Sequence, residues 1–348
     1  MKIGGANTCT FACALAITGM LGGAAWPQQQ QATASKSDLA LPQSPQAEPG
    51  CAEPDTLAGR AIEVGSQGGL NLGLKTYRQT LDLKKNEVVL TFDDGPNPVT
   101  TTRVLDALKR ECVKATFFLI GQNAEKYPTL VRREVQEGHT VAHHSWSHPA
   151  ITLRGLTEDD GIAEINRGIE AVDRAGWGST QIDREPRVPF FRFPGFADTQ
   201  PLLKRLASRN IAVFGADVWA SDWRPMSPEA QLRLLLQRLD EAQSGIILLH
   251  DTRPQTADML PVLLRELRAR RYKIVHLVPG AARPDTRPAP EQWRSETEPI
   301  VERVLSRLRS PPAGRNSEPH SALRQPSVKQ LPVLEREPSD DSLSPERP

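Results

Sequence analysis

The chain has 348 residues with a 38% hydrophobic fraction, enough for one large domain or two ordinary ones with a true core. Lys and Arg number 43 against 42 Asp and Glu, a formal charge of +1, so there is no electrostatic basis for binding nucleic acid or an anionic membrane surface. Selectivity must come from a local site.

At the N-terminus, Lys2 opens a short positive start, Phe11 to Leu21 is an apolar run, and Gly23-Ala24-Ala25 offers small residues for cleavage. Residues 1–25 therefore predict an export signal, and with it a periplasmic, cell-envelope or secreted protein. The run is too short for a stable membrane span; an uncleaved N-terminal anchor stays open as the alternative. Residues 26–86 read as linker and extension, since 26–54 are rich in Gln, Ser, Ala and Pro and hold too little apolar content to offset their ordering entropy. Cys9 and Cys13 fall in the signal, leaving Cys51 and Cys112 either to pair in an oxidising compartment or to stay apart.

From 87 to 279 short apolar runs alternate with helix-periodic segments. The runs predict strands at Val88–Phe92, Ala115–Ile120, Thr140–His143, Phe190–Phe193, Ile211–Ala216, Ile246–Leu249 and Lys273–Val278. Helices are expected near Thr102–Arg110, Thr129–Glu137, Glu158–Arg174, Pro201–Ser208, Pro228–Glu241 and Met259–Arg270. This repeated β-α unit predicts an α/β domain of parallel strands covered by helices. About seven strands suit an open doubly wound sheet or a barrel, and periodicity does not choose between them. Residues 280–348 read as a Pro-rich, largely unordered tail, except that Ile300, Val301, Val304, Leu305 and Leu308 share one helical face, which predicts a short docking helix over 293–309.

Chemistry-bearing residues gather just beyond the strands. Val89 to Phe92 runs directly into Asp93-Asp94-Gly95-Pro96, and adjacent carboxylates at a strand end point in different directions, so that one can bind a metal while the other takes a proton. The chain has 7 histidines, and His143, His144 and His148 all lie in the one segment His143-His144-Ser145-Trp146-Ser147-His148-Pro149. The spacing of His144 and His148 lets two imidazoles meet one ion, whereas strand alternation turns His143 away. Two histidines and one carboxylate would leave open positions for water and substrate, as a catalytic metal site requires. Arg192, Asp222-Trp223 and His250-Asp251 follow further strands. One such polar strand end is ordinary; five agree with the gathering of catalytic groups at the carboxyl ends of parallel strands.

This ordered set, Thr91–Pro96, His144–His148, Arg192–Gly195, Asp222-Trp223 and Leu248-Leu249-His250, resembles the five motifs of the polysaccharide deacetylase family, carbohydrate esterase family four. The resemblance spans roughly 87 to 279 and implies a distorted barrel of β/α units. By position it implies Asp94, His144 and His148 as ligands of a divalent metal, zinc foremost with cobalt or another divalent ion as alternatives, and Asp93 as the base. It implies Arg192 holding Asp93, Asp222 orienting His250, and His250 as general acid, with Trp223 and Leu248 lining the acetyl-methyl pocket. Two departures stand out: Gly195 occupies a position where the family has an aromatic residue, leaving a backbone N–H for an oxyanion but no sugar stacking, and Trp219 stands where the family has an acid before Asp222.

The expected function is metal-assisted removal of N-acetyl, or O-acetyl, groups from a polysaccharide or oligosaccharide. Hydrolysis of a non-sugar amide is the alternative among enzymes, and a catalytically silent polysaccharide-binding protein the alternative outside them. Intact Asp93, Arg192 and His250 argue against silence, because binding alone needs neither base nor acid. Nothing in the sequence sets the oligomeric state.

Overall fold

A computed structural model describes residues 56–178 and 186–309. The first strands are β1 (Ala58–Val64), β2 (Leu70–Leu72), β3 (Gln79–Leu81) and β4 (Glu87–Asp93), followed by α1 (Thr100–Arg110), β5 (Thr116–Leu119), α2 (Gly121–Lys126), α3 (Pro128–Gln136), β6 (Thr140–His143) and α4 (Glu158–Trp177). The second half adds β7 (Phe190–Phe191), α5 (Gln200–Ser208), β8 (Ala212–Phe214), β9 (Val218–Trp219), α6 (Pro228–Ala242), β10 (Gly245–His250), α7 (Pro254–Ala269), β11 (Lys273–Pro279), β12 (Thr286–Pro288) and α8 (Glu298–Arg309).

Strand β4 is the hub. It pairs in parallel with β10 from Val88 to Asp93, with β5 at its C-terminal half and with β11 at its N-terminal end. Parallel pairing continues from β5 through β6, β7 and β8 to β2, while β9 joins β10 and β1 joins β11. The result is a distorted α/β barrel of parallel strands with helices outside. Every residue of β4 is buried, as expected where one face meets helices and the other the barrel interior.

Alternation along the strands decides where chemistry can sit. Val88, Leu90, Phe92, Phe117, Leu119, Val141, Ile247 and Leu249 pack outward in one core with the helices, whereas Val89, Phe118, Ala142, Phe190, Phe214 and Ile246 fill the inner core. Counting by twos from that inner set, Asp93, His144, Arg192 and His250 share the interior register and emerge at its C-terminal mouth.

Local chemistry sets the helix starts. Side chains of Thr157, Thr199 and Ser227 accept backbone N–H groups at the starts of α4, α5 and α6, and Pro sits in the first turn of the latter two.

The structure alters the domain limits. Residues 58–72, assigned above to a linker and extension, contribute β1 and β2 to the main sheet. Their weak apolar signal has a physical cause: β1 is an outer strand with mostly exposed or half-exposed side chains, and β2 is three residues long. Beyond 279, β12 pairs antiparallel with β3, and α8 buries Val301 and Leu305 against Ala197. Cys112 is disulfide-bonded; Cys51, the signal segment and the tail beyond 309 lie outside the described residues. No described helix is long and apolar enough to cross a membrane.

Candidate active site

The two acids at the end of β4 face different partners. Asp93 is buried, and its Oδ1 accepts from Arg192 Nη1 at 2.7 Å while Oδ2 lies 3.8 Å from His144 Nε2. Asp94 turns away through a positive φ of 74°, placing its Oδ1 3.6 Å from His144 Nε2 and 3.7 Å from His148 Nε2. A positive φ is costly outside glycine, and residues held this way cluster at functional sites; Ser145 and His148, at 64° and 50°, share the feature.

Packing braces the histidine loop. Ser147 donates from backbone and hydroxyl to Glu164 of α4, and His148 N–H donates to Ser145 Oγ. Gly168 of α4 allows the close approach, since a Cβ there would stand 2.5 Å from the Ser145 carbonyl carbon. His143, as alternation predicts, faces elsewhere: it is fully buried with Nε2 3.0 Å from the Val188 carbonyl.

Asp94, His144 and His148 present one ligand atom each within 4.8 Å of one another. Four observations fit a divalent ion. Asp94 Oδ1 is buried without a hydrogen-bond partner, an expensive state unless something positive meets it. His144 Nδ1 lies 2.7 Å from the Arg192 carbonyl, which can only accept, so Nδ1 carries the proton and Nε2 is left as a lone-pair donor facing Asp94. Burial holds the His144 imidazole down at about 4 despite the acids nearby, so it is neutral at neutral pH. For Asp94, burial opposes ionisation, but His148, His250 and His144 hold the carboxyl down at about 2. Two imidazoles and a carboxylate suit zinc or a neighbouring transition ion.

Opposite the acid pair, His250 Nδ1 lies 2.8 Å from Asp222 Oδ1, while Asp222 Oδ2 accepts from His250 N–H and Thr256 Oγ1. Burial depresses the His250 imidazole, yet the Asp222 carboxylate overrides it and lifts the ring to about 9. His250 is therefore protonated at neutral pH with Nε2–H free to donate.

Arg192 is completely buried and fully engaged: besides Asp93 it donates to Thr91 Oγ1 and to the carbonyls of Phe214 and Gly215. Gly195 is exposed at φ 59°, and Leu248 and Trp223 belong to one apolar cluster with Trp219.

Residues 80–213 match the model of the polysaccharide deacetylase family. A chitooligosaccharide deacetylase from Sinorhizobium fredii is 36% identical over 168 residues, spanning 48% of this chain and 73% of that protein. The chain belongs to the polysaccharide deacetylase family. A peptidoglycan-N-acetylglucosamine deacetylase from Bacillus cereus is 34% identical over 168 residues, 48% of this chain and 57% of the relative. A solved Bdellovibrio bacteriovorus peptidoglycan deacetylase superposes with a TM-score of 0.56 at 30% identity, covering 65% of this chain and 60% of that one. This chain spans about half the length of several curated relatives, 39%, 57% and 46%.

Within this family frame, the sequence reading left Asp251 without a role. Asp251 is fully buried, accepts a short hydrogen bond from Thr101 Oγ1, and abuts Gly95, where a Cβ would meet its Oδ2 at 2.4 Å. Thr101 in turn accepts from Asn97 N–H, so the two acid-bearing strand ends are tied together behind the site. Burial, with Asp94 adding repulsion, pushes the Asp251 carboxyl up to about 7. The pair His250-Asp251 is visible in the sequence, but the burial of Asp251 and its bond to Thr101 come only from packing.

Proposed function

We propose that this protein is an exported, metal-dependent deacetylase that hydrolyses the N-acetyl groups of an aminosugar polymer. The observation that carries the reading is the convergence, at one barrel mouth, of an Arg-held carboxylate, a His-His-Asp ligand set with an orphaned buried oxygen, and an Asp-held protonated imidazole. Relatives named as peptidoglycan-N-acetylglucosamine and chitooligosaccharide deacetylases support the substrate class.

Asp94, His144 and His148 would hold a divalent ion, which would supply polarisation of the acetyl carbonyl and a lowered pKa for water. Asp93 takes the proton of the attacking water at Oδ2, because Oδ1 is committed to Arg192. Arg192 prevents Asp93 from rotating and, through its carbonyl, orients His144. His250 delivers the proton from Nε2 to the departing amine nitrogen, and Asp222 holds the ring and offsets its charge. The backbone N–H near Gly195 supplies an oxyanion donor. Trp223 and Leu248 enclose the acetyl methyl.

Acetate release from purified peptidoglycan and from β-1,4-linked N-acetylglucosamine oligosaccharides, with and without chelator, tests this reading. Chelator-sensitive acetate release is expected. A protein that cleaves only small non-sugar amides, or that binds polymer without releasing acetate, would overturn it.

A further inference from the structure

Beside the polar constellation, the ends of β8 to β10 carry an apolar patch that neither the ligand set nor the acid and base uses. Ala216, Trp219 and Leu248 are buried at its base, and Phe196, Trp223 and Ile300 stand half-buried around them. The patch is continuous with the acid: Trp223 meets the His250 ring edge-on at 6.1 Å and Trp219 at 5.6 Å, and Phe196 lies 6.5 Å from Trp219.

Ile300 comes from α8, outside the region that the motifs span, and its placement is built. Arg154 grips Glu298 through two hydrogen bonds of 2.5 and 2.9 Å, and Val301 and Leu305 pack on Ala197, the residue next to Phe196. On the other side, Glu296 N–H and Thr297 N–H donate to the Lys75 carbonyl, and Lys75 Nζ sits 4.4 Å above the Trp219 ring while pairing with Glu296. The helix is thus clamped to the loop that presents Phe196 and to the floor of the patch.

We propose that Phe196 and Ile300 form a platform for a pyranose ring of the substrate chain, making α8 a specificity element of this site. This inference rests on the deacetylase reading above. A pyranose has apolar C–H faces edged by hydroxyls, and half-buried Phe196 and Ile300, on a cluster with the Arg154–Glu298 and Lys75–Glu296 pairs on the elements that hold it, offer apolar and polar groups to match. Phe196 directly follows Gly195, and its ring packs against the Trp219 cluster.

The test measures acetate release and calorimetric binding for a β-1,4-linked N-acetylglucosamine pentamer with wild type, Phe196→Ala, Phe196→Trp, Ile300→Ala and Ile300→Asp. Each Ala variant should raise KM and Kd about tenfold, the equivalent of about 1.4 kcal/mol, with kcat within about threefold of wild type. Phe196→Trp should restore affinity, and Ile300→Asp should weaken it further than Ile300→Ala. Unchanged KM and Kd in both Ala variants, or a fall in kcat at unchanged KM, would overturn the platform. If Phe196→Ala does not fold, the two Ile300 variants decide the matter by the same criteria. Wild type that binds the pentamer without releasing acetate would instead overturn the deacetylase reading, and variant binding would still decide the platform.

Discussion

Replacing each member of the acid pair by its amide gives the sharpest test, because neighbouring carboxylates are assigned different work. Asp93→Asn keeps the shape and one acceptor for Arg192 Nη1 but removes the charge opposite a fully buried guanidinium. A charge-assisted hydrogen bond contributes about 1.5–3 kcal/mol, and Arg192 retains Thr91, Phe214 and Gly215 as acceptors, so the stability loss should stay in that range. Set against about 5–15 kcal/mol for a typical domain, the variant remains folded at 25 °C. Turnover should fall by about 10²–10⁴-fold, since an amide cannot take the proton of the attacking water. Asp94→Asn removes the negative oxygen that lies 3.6 and 3.7 Å from the two imidazole nitrogens, so its defect should be in ion affinity. Activity titrated against added zinc, with metal content measured in parallel, separates the two. Zinc should recover part of the rate in Asp94→Asn and none in Asp93→Asn; rescue of Asp93→Asn would reverse the roles, and full activity in both would move the site elsewhere.

Chelation should abolish activity and zinc or cobalt restore it, while His144→Ala and His148→Ala should bind less metal by elemental analysis; equal content in both variants and wild type would remove those histidines from the ligand set. The His250 ring is held up at about 9 by Asp222, so the acid form should persist through neutral pH and activity decline as pH rises through about 9. Asp222→Asn removes the charge that opposes burial, so the alkaline limb of kcat should move to lower pH; an unmoved limb would separate Asp222 from the acid. The same raised value means the His250–Asp222 pair stabilises the fold fully below pH ~6.5 and loses that contribution towards about 9, which thermal melts across that window would register. Cys112 is disulfide-bonded, and unreduced peptide mapping should join it to Cys51; that bridge should stabilise the fold by about 4 kcal/mol on the chain-entropy estimate, and a different partner would refute the pairing.

Most strands and helices between 87 and 279 were legible in the sequence, because apolar runs and 3.6-residue periodicity are local signals, but the two-residue β9 and the six-residue α2 are too short to show a period and were not legible. Also legible was the position of Asp93, His144, Arg192 and His250 at strand ends, since alternation with period two carries the inner register from Val89, Ala142, Phe190 and Ile246 outward, whereas the direction of Asp94 is set by its positive φ. Which edges meet is not a local property. Tertiary pairing set β4 between β5, β10 and β11, and it recruited β1 through β11 and β2 through β8, strands whose own side chains carry too little apolar pattern to announce them. The tautomer of His144 depends on a carbonyl 48 residues away, and the burial of Asp251 depends on Gly95 in the loop after β4. Helix α8 shows the same division. Its apolar face was visible in Ile300, Val301 and Leu305, but the surface it covers is set by an ion pair to Arg154 and by contacts to Ala197, both distant in the chain and joined only when the barrel closes the space between them.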